Sequence, residues 1–432
     1  MLSDRLAHTL AARNIHYGWL VAAVTFLTML ATAGVMGSAG VLMRPLEQEF
    51  GWSTEQISSA IAIRLVFYGV FAPFAAAFMN YWGVRKVTLF ALVMILAGIS
   101  ASYFMTELWH LVALWGVIIG MGTGMTALVL GATVATRWFG ARRGLVVGFM
   151  TAANATGSLV FLPLLASLAD RFGWRTALTV LICVLLATLL LILMVMRDRP
   201  ADVGLPRFGE DQIAPAPPRA ANVGKLLLQP LHTLLAAATE PVFWILFGTF
   251  FICGFSTNGL IQMHWISICG DFGIAAVTAA GILALIGVFD LFGTIGSGWL
   301  SDRFDNRHLL FVFYALRGLS LIYLPFSSFS IYELSVFAIF YGLDWVATVP
   351  PTVKLAAEKF GAERAPMVFG WVFMGHQIGA AAAAYFAGAV RTGLDTYMPA
   401  LFMAGVLCIV AALSVLAIGP KPMKSSGATT LA

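Results

Sequence analysis

Apolar residues fall along this chain in twelve runs of 19 to 27 residues, separated by short clusters of polar residues, Gly and Pro. In order the runs cover 17–41, 56–79, 87–105, 111–135, 144–168, 175–196, 241–267, 275–299, 308–326, 332–354, 366–389 and 397–419. An α-helix needs about 20 residues to cross the hydrocarbon core of a bilayer. Its backbone groups find no water there and must pair within the helix. The pattern therefore predicts an all-α membrane protein with 12 transmembrane helices in two six-helix bundles. Residues 197–240 break the rhythm. Arg197-Asp198-Arg199-Pro200 opens a polar stretch with Pro206, Pro215, Pro217 and Pro218, and an amphipathic segment follows near Lys225–Leu235. This stretch reads as a cytoplasmic linker between bundles at 1–196 and 241–420, and 421–432 as a tail.

Composition excludes the main rivals. Of 432 residues 60% are hydrophobic and 10% charged, with mean hydropathy +0.90, which rules out disorder and an ordinary soluble enzyme. The first run is too long for the core of a signal peptide and reads as a retained helix. The placement of charge sets the expected orientation. Of 25 Lys and Arg, 19 lie on the side of the N-terminus and linker; Arg44, Arg171, Arg175 and Arg391 lie opposite, and Arg64 and Arg317 lie inside spans. By the positive-inside rule both termini are cytoplasmic. Cys183, Cys253, Cys269 and Cys408 sit in or beside apolar runs and read as small packing residues. No spacing suggests a metal site.

The halves resemble each other at an offset of 221–222 residues. Glu49-Phe50-Gly51 matches Asp271-Phe272-Gly273, and Asn80 matches Asp302. Trp138-Phe139-Gly140-Ala141-Arg142-Arg143 matches Lys359-Phe360-Gly361-Ala362-Glu363-Arg364. Such repeats are how transporters build a site between two bundles near mid-membrane.

Gly298-Trp299-Leu300-Ser301-Asp302-Arg303-Phe304-Asp305-Asn306-Arg307 resembles the G-x-x-x-D-R-x-G-R-R/K loop of the major facilitator superfamily, with Asp305 for the inner Gly. The first-half copy has Asn80 for the acid but keeps Gly83, Arg85 and Lys86. The resemblance implies that Asp302, Arg303 and Arg307 form a conformational latch at helix ends, where carboxylates and cations meet helix dipoles. Arg137 to Gly148 and Asp170-Arg171-Phe172-Gly173-Trp174-Arg175 resemble the monocarboxylate-porter and oxalate–formate-exchanger branches. The chain departs from the monocarboxylate pattern at His16, where an acid is usual before Gly18-Trp19, and at Thr294, where an Arg follows the eighth-span Asp290. Gly116 stands where proton-antiporting exporters carry an Arg, and Gly157 and Pro163 are separate where those exporters have a Gly-Pro pair.

Ionisable groups in hydrocarbon cost at least about 2.5–3.5 kcal/mol each, so those within spans are functional candidates. Depth counting puts Asp290 and Arg317 level across the eighth and ninth spans, with Asp344 of the tenth close by. Either acid is within reach of Arg317, which serves as a structural staple or exchanges an acid for a substrate carboxylate. Arg64 and His376 fall near mid-membrane on the second and eleventh spans, which face each other in the superfamily. With Tyr68, Asn154 and Gln377 they form a candidate ring. Asn258 and Gln262 share a face of the seventh span, and Tyr341 and Trp345 flank Asp344. Asp344 is the first candidate for proton coupling and Asp290 the second. His264 is a further buried imidazole. Pro350-Pro351 should bend the tenth span, and the glycines at 116, 120, 122 and 124 read as close-packing positions.

No ATPase motif is present, so the energy comes from a gradient. The combined reading is a non-enzymatic secondary transporter taking up a small organic anion, a monocarboxylate or aromatic carboxylate, with a proton by alternating access. Its expected partners are that anion, the proton and membrane lipid; no nucleic acid, cofactor or metal is expected. The expected form is a monomer in the inner (cytoplasmic) membrane. The alternatives are an exporter or exchanger of a drug or metabolite and a non-transporting receptor.

Overall fold

The computed structural model describes residues 6, 9–10, 12–213, 223–361 and 365–419. Twelve long helical stretches follow one another: α1 Tyr17–Phe50, α2 Thr54–Trp82, α3 Val84–Ala101, α4 Leu108–Trp138, α5 Arg143–Phe172, α6 Trp174–Val195, α7 Pro241–Asp271, α8 Ala276–Ser301, α9 Asn306–Tyr323, α10 Ile331–Phe360, α11 Ala365–Leu394 and α12 Met398–Val415. Among the described residues 11 stretches are long and apolar enough to cross a membrane; the 30-residue α5 fills the remaining place in the order. The two bundles meet along two seams, α2 against α11 and α5 against α8. The repeat offset carries one seam onto the other, as a pseudo-two-fold axis requires. The linker and the chain ends mark one face of the molecule, here the linker face; the opposite end is the far face.

The repeat is visible in the backbone. Gly51 and Gly273 end α1 and α7 with φ of 68° and 76°. That left-handed conformation is costly for residues with a Cβ, which is why both copies of the Glu/Asp-Phe-Gly motif end in Gly. Helix α4 is interrupted at Thr126–Ala127 and α10 at Trp345–Thr348, equivalent positions at the repeat offset. The α10 break precedes Pro350 and Pro351, which occupy the first turn of the resumed helix, where missing N–H groups cost nothing. Two stretches, Val112–Ile119 of α4 and Phe255–Gln262 of α7, are wound as π-helix, a feature frequent at functional sites.

Gly116, Gly120 and Gly124 bring α4 against the α2 backbone. A Cβ on Gly120 would meet the Arg64 carbonyl at 2.9 Å, and one on Gly124 the Tyr68 carbonyl at 2.8 Å. The sequence assignment of this stripe to close packing agrees with these contacts. Gly120→Val should therefore push α2 away at Arg64, one turn before Tyr68, and destabilise the fold by about 1–3 kcal/mol. A thermal melt in detergent checks this; an unchanged melting temperature would show that α4 yields without cost.

The linker is ordered where described. Phe208 N–H donates to Trp138 O at 2.9 Å and its carbonyl accepts from Gly140 and Ala141 N–H at 3.0 Å each. His16 caps α1 through Nδ1, accepting from Gly18 N–H, so its Nε2 donates to Pro206 O at 3.0 Å. His16 thus takes the helix-capping place at which an acid was the expected residue. The amphipathic segment is a helix, Val223–Ala237, that reaches α2 and α11. The tail 421–432 and the matched residues Ala362, Glu363 and Arg364 lie outside the described residues.

Candidate functional site

Arg317 on α9 is buried and every arm of its guanidinium is engaged. Nε donates to Asp344 Oδ2 at 2.7 Å, Nη1 to Cys253 Sγ at 2.9 Å, and Nη2 to the carbonyls of Asp344 (2.5 Å) and Trp345 (3.1 Å). Those carbonyls are freed by the break in α10, so one side chain satisfies both the acid and the interrupted backbone. Asp290 does not pair with Arg317. Its Oδ1 accepts from Thr294 Oγ1 at 2.9 Å and from Val346 N–H at 3.0 Å. Thr294 at the position of an expected arginine explains this: the carboxylate turns to the nearest donors, a hydroxyl one turn along and the N–H exposed by the α10 break. Asp344 Oδ1 is buried with no hydrogen-bond partner among the described residues.

Arg64 on α2 is fully buried at the meeting of both bundles. Its Nη atoms donate to the α1 carbonyls of Val35 (3.3 Å) and Met36 (3.1 Å), Nη2 lies 3.7 Å from Met263 Sδ of α7, and the group sits 5.9 Å from the centre of the Trp115 ring. Nε has no partner, and no carboxylate of the described residues pairs with it. The expected ring is therefore split. Arg64 faces α1 and α7, whereas Tyr68, one turn toward the linker face, lies 6.4 Å from Phe373 of α11, whose ring stacks on His376 at 5.7 Å. Gln377 packs on Gly69; its Nε2 is 3.3 Å from His376 Nδ1 and its Oε1 is buried without a partner. The side chain of Asn154 lies outside the described residues.

Asn258 and Gln262 sit half-buried in the π-helical part of α7, next to Met263. Tyr341 is locked: its hydroxyl donates to Ser256 O at 2.8 Å and its ring lies between Phe337 and half-buried Trp345. His264 binds Ala384 O at 2.9 Å and the Tyr397 hydroxyl at 3.2 Å, so both nitrogens are spent within the second bundle.

The latch differs from the expected one. Lys354 of α10 donates to Asp302 and, at 3.0 Å, to Ser301 O. Arg303 turns away, its guanidinium 4.0 Å above the Trp299 ring, and makes no pair with Asp302. Arg307 pairs with Asp305 at 2.6 Å and donates to Ile418 O at 2.9 Å beyond α12. Its repeat equivalent Arg85 donates to Leu193 O of α6 at 2.7 Å, and Arg137 holds Met79 O (3.0 Å) and Asn80 (2.8 Å) as Lys354 holds Ser301 and Asp302. Each half thus clamps the end of its second helix with a cation from its fourth. The hydrogen bond from Lys354 holds the Asp302 carboxyl below its ordinary range, and that from Arg307 holds Asp305 down at about 2. The latch is therefore ionised above the ordinary carboxyl pKa of about 4. For Asp305, stability is lost as pH falls from there through about 2. Lys354→Gln should change transport rate several-fold with KM intact, since it loosens α10 from α8 without touching the seam; an unchanged rate in an uptake assay would reduce the pair to surface decoration.

The far face is bridged from bundle to bundle. Arg44 of α1 donates to Asp271 Oδ1 and Ser267 O of α7, both at 3.1 Å, and Arg391 of α11 grips the same Asp271 at 2.9 Å. Tyr385 donates to Glu55 at 2.8 Å and Glu55 N–H to Thr392 at 3.2 Å. Among the described residues, the side-chain hydrogen bonds joining α1–α6 to α7–α12 lie between the depth of Arg64 and this face.

Two pseudo-symmetric bundles with broken helices, a buried cation where they meet and a buried ion pair within the second define a membrane transporter. The Major Facilitator Superfamily pattern matches residues 21–384 and again 270–431, and the chain belongs to that superfamily. It is 25% identical to an uncharacterised MFS-type transporter of Bacillus subtilis over 86% of this chain and 87% of that one. It is 29% identical to human monocarboxylate transporter 11 over 71% of this chain and 61% of that one, and 26% identical to rat monocarboxylate transporter 13 over 91% and 87%. The structure of a xylose transporter of E. coli, partially occluded and inward-open, superposes with TM-score 0.70 at 13% identity, covering 94% of this chain and 98% of that one.

Sequence reasoning missed Cys253, read as packing but in contact with Arg317, and Lys354, the true partner of Asp302. Neither has a local signal: Cys253 lies in an apolar run, and Lys354 reads as one more positive charge at a helix end.

Proposed function

We propose that this protein is a proton-coupled symporter that takes up a small organic monoanion, a monocarboxylate or aromatic carboxylate, by alternating access. The observation that carries the proposal is Arg64. It is a buried cation with no acid among the described residues, placed where both bundles meet and parked on two backbone carbonyls and a thioether. An isolated charge there is costly, and a carboxylate is the counter-ion that a planar guanidinium binds best. Arg317 has no such vacancy, since all three of its nitrogens are engaged. One free guanidinium suits one carboxylate.

The proton is assigned to Asp344, whose Oδ1 is unpartnered while Oδ2 holds Arg317. A proton on Oδ1 weakens the attraction to Arg317 and so loosens the α10 break, with Asp290 holding its other side through Val346. Tyr68, Asn258, Gln262, Tyr341, Trp345, His376 and Gln377 are assigned to the surrounding wall, and Asp302 and Arg307 with Lys354 to the latch. One proton per monoanion makes the cycle electroneutral. The basic bias supports a cytoplasmic linker face with both termini inside, in the inner membrane. The repeat offset supports bundles at 1–196 and 241–420 with a linker at 197–240 and a tail at 421–432. The relatives named as monocarboxylate transporters support the anion class.

The test is uptake of radiolabelled mono-, di- and aromatic carboxylates into proteoliposomes with and without an inward proton gradient. Gradient-driven accumulation of a monocarboxylate is expected. Efflux of neutral or cationic compounds with no anion uptake would overturn the proposal in favour of an exporter.

A further inference from the structure

The linker helix Val223–Ala237 presents two different faces. Pro230 and Ala237 are buried and Leu234 packs on the second-bundle core. Leu228, Leu231 and Leu235 are 49%, 39% and 67% exposed. At 100° per residue these three leucines fall within about 60° of one another, beside the arc that faces the bundle. An apolar stripe of this kind in water would be an aggregation liability.

The surroundings fix its depth. Trp371 of α11 donates to Pro230 O within the helix at 2.9 Å, and Trp244 of α7 donates to Ala238 O just after it, also at 2.9 Å. Trp244 is 55% exposed and stands in the first turn of a membrane span; Trp82 and Trp299, also exposed, stand at the linker-face ends of α2 and α8. Exposed tryptophans at span ends mark the level of lipid headgroups, where an indole is apolar on its body and polar at its N–H. Of these, Trp244 holds the C-terminal end of the linker helix at that level, and the buried Trp371 fastens the middle of the helix to α11.

We infer that the linker helix lies in the membrane interface, with Leu228, Leu231 and Leu235 inserted among lipid acyl chains. The helix joins α2 of one bundle to α11 of the other on the linker face, so lipid holds it across the seam along which the bundles rock. This inference rests on the membrane placement of the bundles and is independent of the substrate.

The experiment uses the full chain in phosphatidylcholine–phosphatidylglycerol vesicles. Cys183, the exposed native thiol, is replaced by Ala. A bimane label is attached at Leu235→Cys or Leu231→Cys, with Glu210→Cys as the aqueous reference. Lipids brominated near the headgroup end of the chains should quench both leucine-site labels several-fold more than the reference, and aqueous iodide should show the reverse order. Replacing the other two leucines of the stripe with Ser should abolish the bromolipid quenching. Iodide quenching of the leucine sites equal to the reference would place the stripe in water and overturn the inference. Protection from both quenchers would overturn it too, and would assign the stripe to a protein partner or a second copy of the chain.

Discussion

Arg64→Met should abolish gradient-driven uptake of organic anions and raise the melting temperature at the same time. The loss follows from the contacts a substrate carboxylate would make. Two charge-assisted hydrogen bonds, at about 1.5–3 kcal/mol each, correspond to a fall of at least about 100-fold in transport efficiency. The gain follows from the burial. Among the described residues Arg64 has an orphaned Nε and no acid, and its two carbonyl partners belong to the uninterrupted helix α1, whose own N–H groups already bond them. Removing the charge leaves nothing newly unsatisfied, and apolar replacement of buried charge is often stabilising by about 1–4 kcal/mol. Uptake and thermal unfolding of the same preparation read both effects. Intact uptake would make Arg64 a packing residue, and a lower melting temperature would make its carbonyl contacts structural. A residue that weakens the fold it sits in and is needed for turnover is what a stability–function trade-off looks like.

The second large effect is expected at the α10 break. Arg317→Ala leaves Asp344 buried and unpaired and strips two backbone carbonyls of their donor, so it should cost about 3–5 kcal/mol and reduce folded protein sharply. Asp344→Asn keeps the volume and an oxygen for Arg317 but removes the proton carrier. It should lose accumulation driven by a proton gradient while substrate exchange across the vesicle membrane survives. The double variant Arg317→Met with Asp344→Leu should recover stability relative to Arg317→Ala, because no charge is left alone, and should not recover coupling. If Asp344→Asn accumulates substrate as the wild type does, the proton is carried elsewhere, with Asp290 the next residue to replace. If it loses exchange and accumulation together while remaining folded, Asp344 serves the structure of α10 rather than the proton.

The two experiments separate the arginines by role. Arg317 is surrounded by acceptors that only it can reach, and its removal should be felt first as lost stability. Arg64 is surrounded by groups that do not need it, and its removal should be felt first as lost transport. That difference is not in the residue type or in the depth of either side chain in the membrane, which counting along the spans places alike.

The sequence by itself determined the architecture. Apolar runs of membrane-crossing length, the basic bias of one face, the polar break at 197–240 and the fixed offset between halves each follow from local chemistry or short-range counting, and the helices form where those runs lie. Capping is local too: Gly51 and Gly273 end their helices as the matched motifs require. Pairing is not local, and here tertiary structure decided. Depth arithmetic brought Asp290, Asp344 and Arg317 to one level but carried no rotation about each helix axis. It could not tell that Asp344 takes the guanidinium while Asp290 turns to Thr294 and Val346. It gave no hint that Cys253 faces Arg317, that Lys354 displaces Arg303 as the partner of Asp302, or that Arg64 leans on α1 and α7 rather than on the polar groups of α11. A single helix fixes which residues share a face; which face meets which neighbour is set by the packing of all twelve, and the chemistry of a buried charge depends on that second fact.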